Sequence, residues 1–115
     1  VLGRAVEEDV SDDAVLEALL RAKARVGRGW IKWSYRNGDD VCALGAIGAH
    51  SGVAYPMFLD CEMYLHRALA AVGTRARGLG IGGFNDWPSV EQRHVLGLFD
   101  WAMQLRRIDL ARGDK

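Results

Sequence analysis

Residues 41–49, Val-Cys-Ala-Leu-Gly-Ala-Ile-Gly-Ala, carry no charge, and five of the nine are Ala or Gly. A helix that is apolar on every side belongs in an interior, and small side chains let neighbouring backbones come close. The pattern predicts a short central helix over 41–50 that longer helices pack around. Asp39 and Asp40 precede it, where carboxylates cap a helix start and complement the positive end of its dipole. Cys42 falls in its first turn.

Longer helices follow from the apolar spacing. Ser11, Asp12 and Asp13 open one over 12–26, with Val15, Leu16, Leu19, Leu20 and Val26 at helical spacing and Gly27 and Gly29 as its stop. In 30–36, Ile31, Trp33 and Tyr35 alternate with Lys32, Ser34 and Arg36, which suits a short half-buried strand, and Asn37-Gly38 is a tight-turn pair. Asp39, Asp40 and Val41 leave little room for a second strand, so 30–38 reads as a small hairpin or irregular element. Pro56 opens a helix over 56–72 with Phe58, Cys61, Leu65, Leu69 and Val72 on one stripe. Residues 73–83 read as a glycine-rich, basic loop. Ser89 and Gln92 have capping-box spacing at the head of a last helix over 89–108. Val95, Leu98, Phe99, Ala102 and Leu105 form its buried face. The expected fold is mainly α, a bundle of about four helices around the short central one. It is one domain over 1–115, with 1–10 and 111–115 fraying.

Lys plus Arg equals Asp plus Glu at 15 each, so the formal net charge is zero. Proteins that grip nucleic-acid phosphates or anionic membranes usually show a basic excess. A nucleic-acid reading through Arg75, Arg77, Arg106 and Arg107 runs against that balance. Zero net charge also removes colloidal repulsion, which admits a homo-oligomer. The sequence has no apolar run of membrane-span length, no signal-peptide pattern and no CxxC. Cys42 and Cys61 therefore read as reduced thiols in a cytoplasmic protein.

Candidate chemistry centres on Cys42. A thiol at a helix N-terminus gains from the dipole and the free amides, although Asp39 and Asp40 oppose that gain. A cysteine nucleophile also needs a base and a group to orient it. His94 with Asn85 or Asp86 has the right residue types, which gives the alternative of a thiol-dependent hydrolase or transferase. In the plainer reading, which is favoured, Cys42 is a buried structural cysteine and no residue is catalytic. Asn85-Asp86 then caps a helix start, and caps the central helix as well if its loop folds back. Gly78-Leu-Gly80-Ile-Gly82-Gly83 satisfies GxGxxG, but it follows a helix where a dinucleotide fingerprint follows a strand. Arg75 and Arg77, beside Gly78 and Gly80, leave weak anion binding open. Glu62/His66 and Glu91/His94 share helix faces, yet a dinuclear centre needs a second Glu-x-x-His and further carboxylates. No metal and no cofactor are expected. Tryptophan is enriched in binding hot spots, and Trp30, Trp33 and Trp101 make the candidate surface for an unidentified protein partner.

Two phrases, Cys42-Ala43-Leu44-Gly45-Ala46 and Phe84-Asn85-Asp86 leading into a helix with Glu91, Val95 and Phe99, carry a resemblance. Together they resemble a domain-of-unknown-function family of short helical proteins from actinobacteria and their phages. Its pattern has a Trp-containing segment, a Cys-Ala-Leu-Gly-Ala helix, and Trp-Asn-Asp before a closing helix. The resemblance covers residues 28–103, with Phe84 standing where the family has Trp. It implies no established activity and raises a phage or mobile-element origin. The expected function is a small non-enzymatic interaction or accessory protein, phage-encoded and binding a host protein.

Overall fold

The computed structural model describes residues 13–48 and 55–113, with only the backbone for residues 55 and 74–77. Among these lie five helices and one hairpin: α1 (Ala14–Arg28), β1 (Arg36–Asn37), β2 (Asp40–Val41), α2 (Ala43–Ala46), α3 (Tyr55–Val72), α4 (Thr74–Asp86) and α5 (Gln92–Ala111). The fold is mainly α, as the periodicity predicts. The lead-in 1–10 and the capping candidates Ser11 and Asp12 lie outside the described residues. The central helix is shorter than the expected 41–50: α2 covers only Ala43–Ala46, with Cys42 as its N-cap and a turn at 47–48.

Asp13 starts α1, its Oδ2 accepting from Leu16 N at 2.8 Å. Val15, Leu16, Leu19, Ala22 and Val26 form the buried stripe, while Leu20 faces outward. The helix runs through Gly27 and ends at Arg28, with Gly29, the second of the two expected stop residues, as its cap. Gly29 N closes it by donating to Arg25 O, and Gln92 Nε2 donates to Val26 O at 2.7 Å. That bond takes Gln92 out of the expected capping box with Ser89. The last helix accordingly begins at Gln92, after a turn in which Val90 N donates to Trp87 O. α5 packs along both α1 and α3, burying Val95, Leu98, Phe99, Ala102 and Met103.

The largest departure is α4, a helix where a glycine-rich loop is expected. Gly80, at φ +71° and ψ 172°, breaks it into two segments. An L side chain resists that conformation, so glycine permits the break. The second segment buries Ile81, Phe84 and Asn85 against α2 and α3. Glycine costs a helix about 1 kcal/mol per residue, less than burial of a large apolar side chain returns, at about 1.5–3 kcal/mol.

The hairpin pairs Arg36 with Val41 and Asn37 with Asp40, so Gly38 and Asp39 form its tip, one position beyond the expected Asn-Gly turn. Residues 32–35 are irregular, and strand geometry starts only at Arg36. An extended strand over 30–36 is ruled out at Trp33, whose φ is +70°.

A polar network ties the long helices together. Arg106 donates to both carboxylate oxygens of Asp13, at 2.8 and 3.0 Å, and to Tyr64 Oη at 3.2 Å. Tyr64 Oη donates to Asp109 Oδ2 at 2.6 Å, and Arg67 reaches the same carboxylate at 2.6 and 3.3 Å. The Arg67 guanidinium, then the Tyr64 hydroxyl, hold the Asp109 carboxyl at about 2, well below the ordinary 3.8. Arg106 likewise lowers Asp13. Both carboxylates bind protons more weakly when folded, so the stability they add is complete above the unfolded value of 3.8 and is lost below it, for Asp109 as pH falls towards about 2. The melting temperature followed by circular dichroism is expected to fall steeply across that window. Asp109→Asn should lower it at neutral pH and flatten the acid descent.

Candidate functional site

Burial of Phe84 and the end of α4 turn Asn85 inward, where it is 0% exposed. A buried amide bond partner left unmade costs about 1–3 kcal/mol, so its contacts matter individually. Oδ1 accepts from Trp30 Nε1 at 2.7 Å and from Ala43 N at 3.0 Å. Nδ2 donates to Ile31 O and to Asp86 Oδ1, both at 3.0 Å. The Ala43 bond caps α2. Asp86 Oδ1 also accepts from Trp33 N at 2.8 Å, and Lys32 Nζ donates to Trp87 O at 2.6 Å. Each residue from Trp30 to Trp33 is thus fastened to the corner 85–87.

Cys42 caps the same short helix. Its Sγ accepts from Gly45 N at 3.3 Å, and its own N–H donates to Tyr35 O at 3.2 Å. Tyr35 O lies so close to α2 that a Cβ on Gly45 would sit 1.9 Å from it. Only glycine fits there. Burial pushes the Cys42 thiol above the ordinary 9.0, the Gly45 and Leu44 amides oppose this, and the Asp86 charge adds to it. Cys61, buried in the core, is pushed up to about 11, first by burial and then by Asp60.

Of the catalytic candidates, Asp86 shares a groove with Cys42 and His94 does not. His94 Nδ1 accepts from Glu91 N at 2.8 Å at the head of α5. It lines a groove of about 390 Å³ with Val72, Phe84, Leu98 and Trp101, whereas Cys42 lines a different one. Asn85 is committed to the loop and to α2. Cys42 therefore has neither a neighbouring imidazole nor a lowered pKa, two features that make a thiol a nucleophile.

The Cys42 groove measures about 450 Å³. Cys42 and Leu44 come to it from α2, Gly82 and Asp86 from α4, and Trp33 and Tyr35 from the loop before the hairpin. Trp33 is 77% exposed although its backbone is left-handed. For a bulky residue such a conformation costs of the order of 1–3 kcal/mol and persists only where its surroundings hold it. Here Asp86 holds its N–H. Trp30 is half-buried and its indole is turned to Asn85, with Lys32 Nζ 5.5 Å from its ring centroid. Trp101 is 52% exposed beside the His94 groove.

Arg75 and Arg77 lie in α4, where only the backbone is described, and Gly78 and Gly80 are part of that helix rather than of a phosphate-cradling loop. A basic cavity lies elsewhere. Arg25, Arg28 and Arg36 line about 540 Å³ beside Gly38, Asp39 and Val41. The sequence does not reveal it, because cations in a helix's last turn are accounted for by the dipole alone. The one available signal was the alternation that sets Arg36 on the opposite face from Tyr35. Among the described residues no group of three or more His, Cys, Asp or Glu is placed to hold a metal, and no helix is long and apolar enough to cross a membrane.

Iodoacetamide labelling of the native protein, read at each cysteine by mass spectrometry, is expected to be slow at Cys42 and Cys61 near neutral pH. The apparent pKa of Cys42 should exceed 9.0. Urea should release both thiols to the rate of a free one. Native labelling of Cys42 as fast as in urea would show an accessible, activated thiolate.

No curated protein and no solved structure matches the chain. A family profile matches residues 10–105, spanning α1, the hairpin, the Cys42 cap, the Asn85-Asp86 corner and most of α5. The chain belongs to a family of unknown function, DUF6197.

Proposed function

We propose that the protein is a non-catalytic binding module that receives a cationic side chain of a protein partner in the Cys42 groove. One observation carries the reading: two aromatic side chains, Trp33 and Tyr35, and one carboxylate, Asp86, line the groove with no basic residue among them. Aromatic faces attract cations by about 0.5–2 kcal/mol, and a carboxylate adds a charge-assisted hydrogen bond. Asp86 spends Oδ1 on Trp33 and Asn85, while Oδ2 accepts no hydrogen bond among the described residues. Strain at an exposed tryptophan fits a contact residue better than a core filler. An accessory protein that acts by occupying a partner, such as a phage-encoded protein on a host protein, needs nothing further from this site. The free thiols of Cys42 and Cys61 suit a reducing compartment such as the cytosol.

The thiol-enzyme alternative is not favoured by the geometry around Cys42, and the rim tryptophan carries the argument instead. The test is an NMR titration of the ¹⁵N-labelled protein with an acetylated, amidated triarginine peptide. Shifts are expected at the Trp33 indole and the amides of Trp33, Tyr35 and Asp86. Asp86→Asn keeps the Oδ1 acceptor but removes the charge, and should weaken binding about fivefold or more. Glu62→Gln, remote from the groove, should leave it unchanged. Equal weakening by the two variants, or equal binding of a triglutamate peptide, would overturn the reading. So would dimerisation through Trp33 that Asp86→Asn leaves intact.

A further inference from the structure

We infer that the arginine cavity between α1 and the hairpin binds a small phosphate-bearing ligand. Three arginines line the cavity from two elements, Arg25 and Arg28 from the last turn of α1 and Arg36 from β1. Last-turn cations are favoured by the helix dipole, which accounts for Arg25 and Arg28. It does not account for Arg36, which the hairpin delivers to the same cavity. Three like charges lining one space make it favourable for an anion.

The charges already present do not satisfy this cluster. Arg25 Nη1 donates to Ala46 O at 2.9 Å, which fixes that side chain. The Arg28 and Arg36 side chains make no hydrogen bond or ion pair among the described residues, and Asp39 is the one carboxylate among the lining residues. Asp40 stands nearby, against the Gly29 backbone. The balance around the cavity remains positive in a chain whose net charge is zero.

Guanidinium forks match phosphate oxygens in pairs, which a point charge cannot do. A volume of about 540 Å³ falls within the range of small-molecule sites. No aromatic ring lines it, so it has no stacking platform for the bases of a nucleic-acid strand. Recognition therefore falls on the phosphate of a compact ligand, a phosphomonoester or a diphosphate. The site is independent of the Cys42 groove, since the two share no lining residue.

Inorganic pyrophosphate titrated into ¹⁵N-labelled protein tests this, with sodium chloride at matched ionic strength as the control. Saturable shifts are expected at the Arg28 and Arg36 side-chain Nε–H groups and at the amides of 25–29 and 36–41. The double variant Arg28→Gln/Arg36→Gln should bind about tenfold or more weakly with an unchanged melting temperature. Arg28→Lys/Arg36→Lys should bind between the two, because it keeps the charge and loses the forks. Chloride reproducing the shifts, or the glutamine variant binding as tightly as the native chain, would overturn the proposal. An oligothymidine that binds more tightly than pyrophosphate and releases steeply with salt would overturn it too, in favour of nucleic acid.

Discussion

Everything around the candidate site depends on one buried amide. Asn85 accepts from the Trp30 indole and the Ala43 backbone while donating to Ile31 and Asp86. It joins three segments distant in sequence: the loop after α1, the start of α2 and the end of α4. Replacing it by a residue without the amide would strand a half-buried indole N–H, a buried helix-start N–H and a carbonyl together. Each costs about 1–3 kcal/mol, so the corner has few tolerable substitutes. Aspartate keeps the acceptor but loses both donors and would bring a charge into a fully buried position.

The clamp also explains how so small a loop presents two opposite chemistries. With Trp30 to Trp33 fastened, Tyr35 and Arg36 follow as neighbours where the irregular stretch passes into β1. Tyr35 lines the groove with Cys42 and Asp86, and Arg36 lines the cavity with Arg25 and Arg28. Tyr35 O meets α2 at Gly45, which sets the depth at which the loop lies. One side of the hairpin is therefore aromatic and acidic, the other basic. Net neutrality of the chain conceals this separation.

Much of the fold is legible in the sequence because helical apolar spacing is a strong signal. The stripe from Val15 to Val26, the Cys61–Leu65–Leu69 run and the face from Val95 to Ala102 all form buried helix surfaces. The mainly α architecture follows from them. α4 was illegible because its helicity comes from tertiary burial of Ile81 and Phe84, against local glycine propensity. Helix starts slipped where a capping residue had a better distant partner, as Gln92 does at Val26 O. At the site, the residue type at Asn85 points to capping, and Asn85 does cap the central helix at Ala43 N. The cap residue itself is Cys42 rather than the expected Asp39 or Asp40, because the thiol and not a carboxylate lies over the Gly45 amide. The separation of Cys42 from His94 was hidden, since residue type carries no distance. The arginine cavity joins residues from α1 and β1 whose convergence only the hairpin geometry creates.

The central claim is that Asn85 makes the loop and α2 one cooperative unit with the core. Hydrogen exchange at the Trp30 indole N–H and the Ala43 amide tests it most directly, with the Phe99 amide of α5 as the core reference. Both groups should exchange only with global unfolding, at the protection of Phe99. In Asn85→Ala they should exchange far faster than Phe99 does in the same protein. If Trp30 and Ala43 exchange rapidly in the native chain while Phe99 stays protected, the clamp does not hold the site to the core and the account fails.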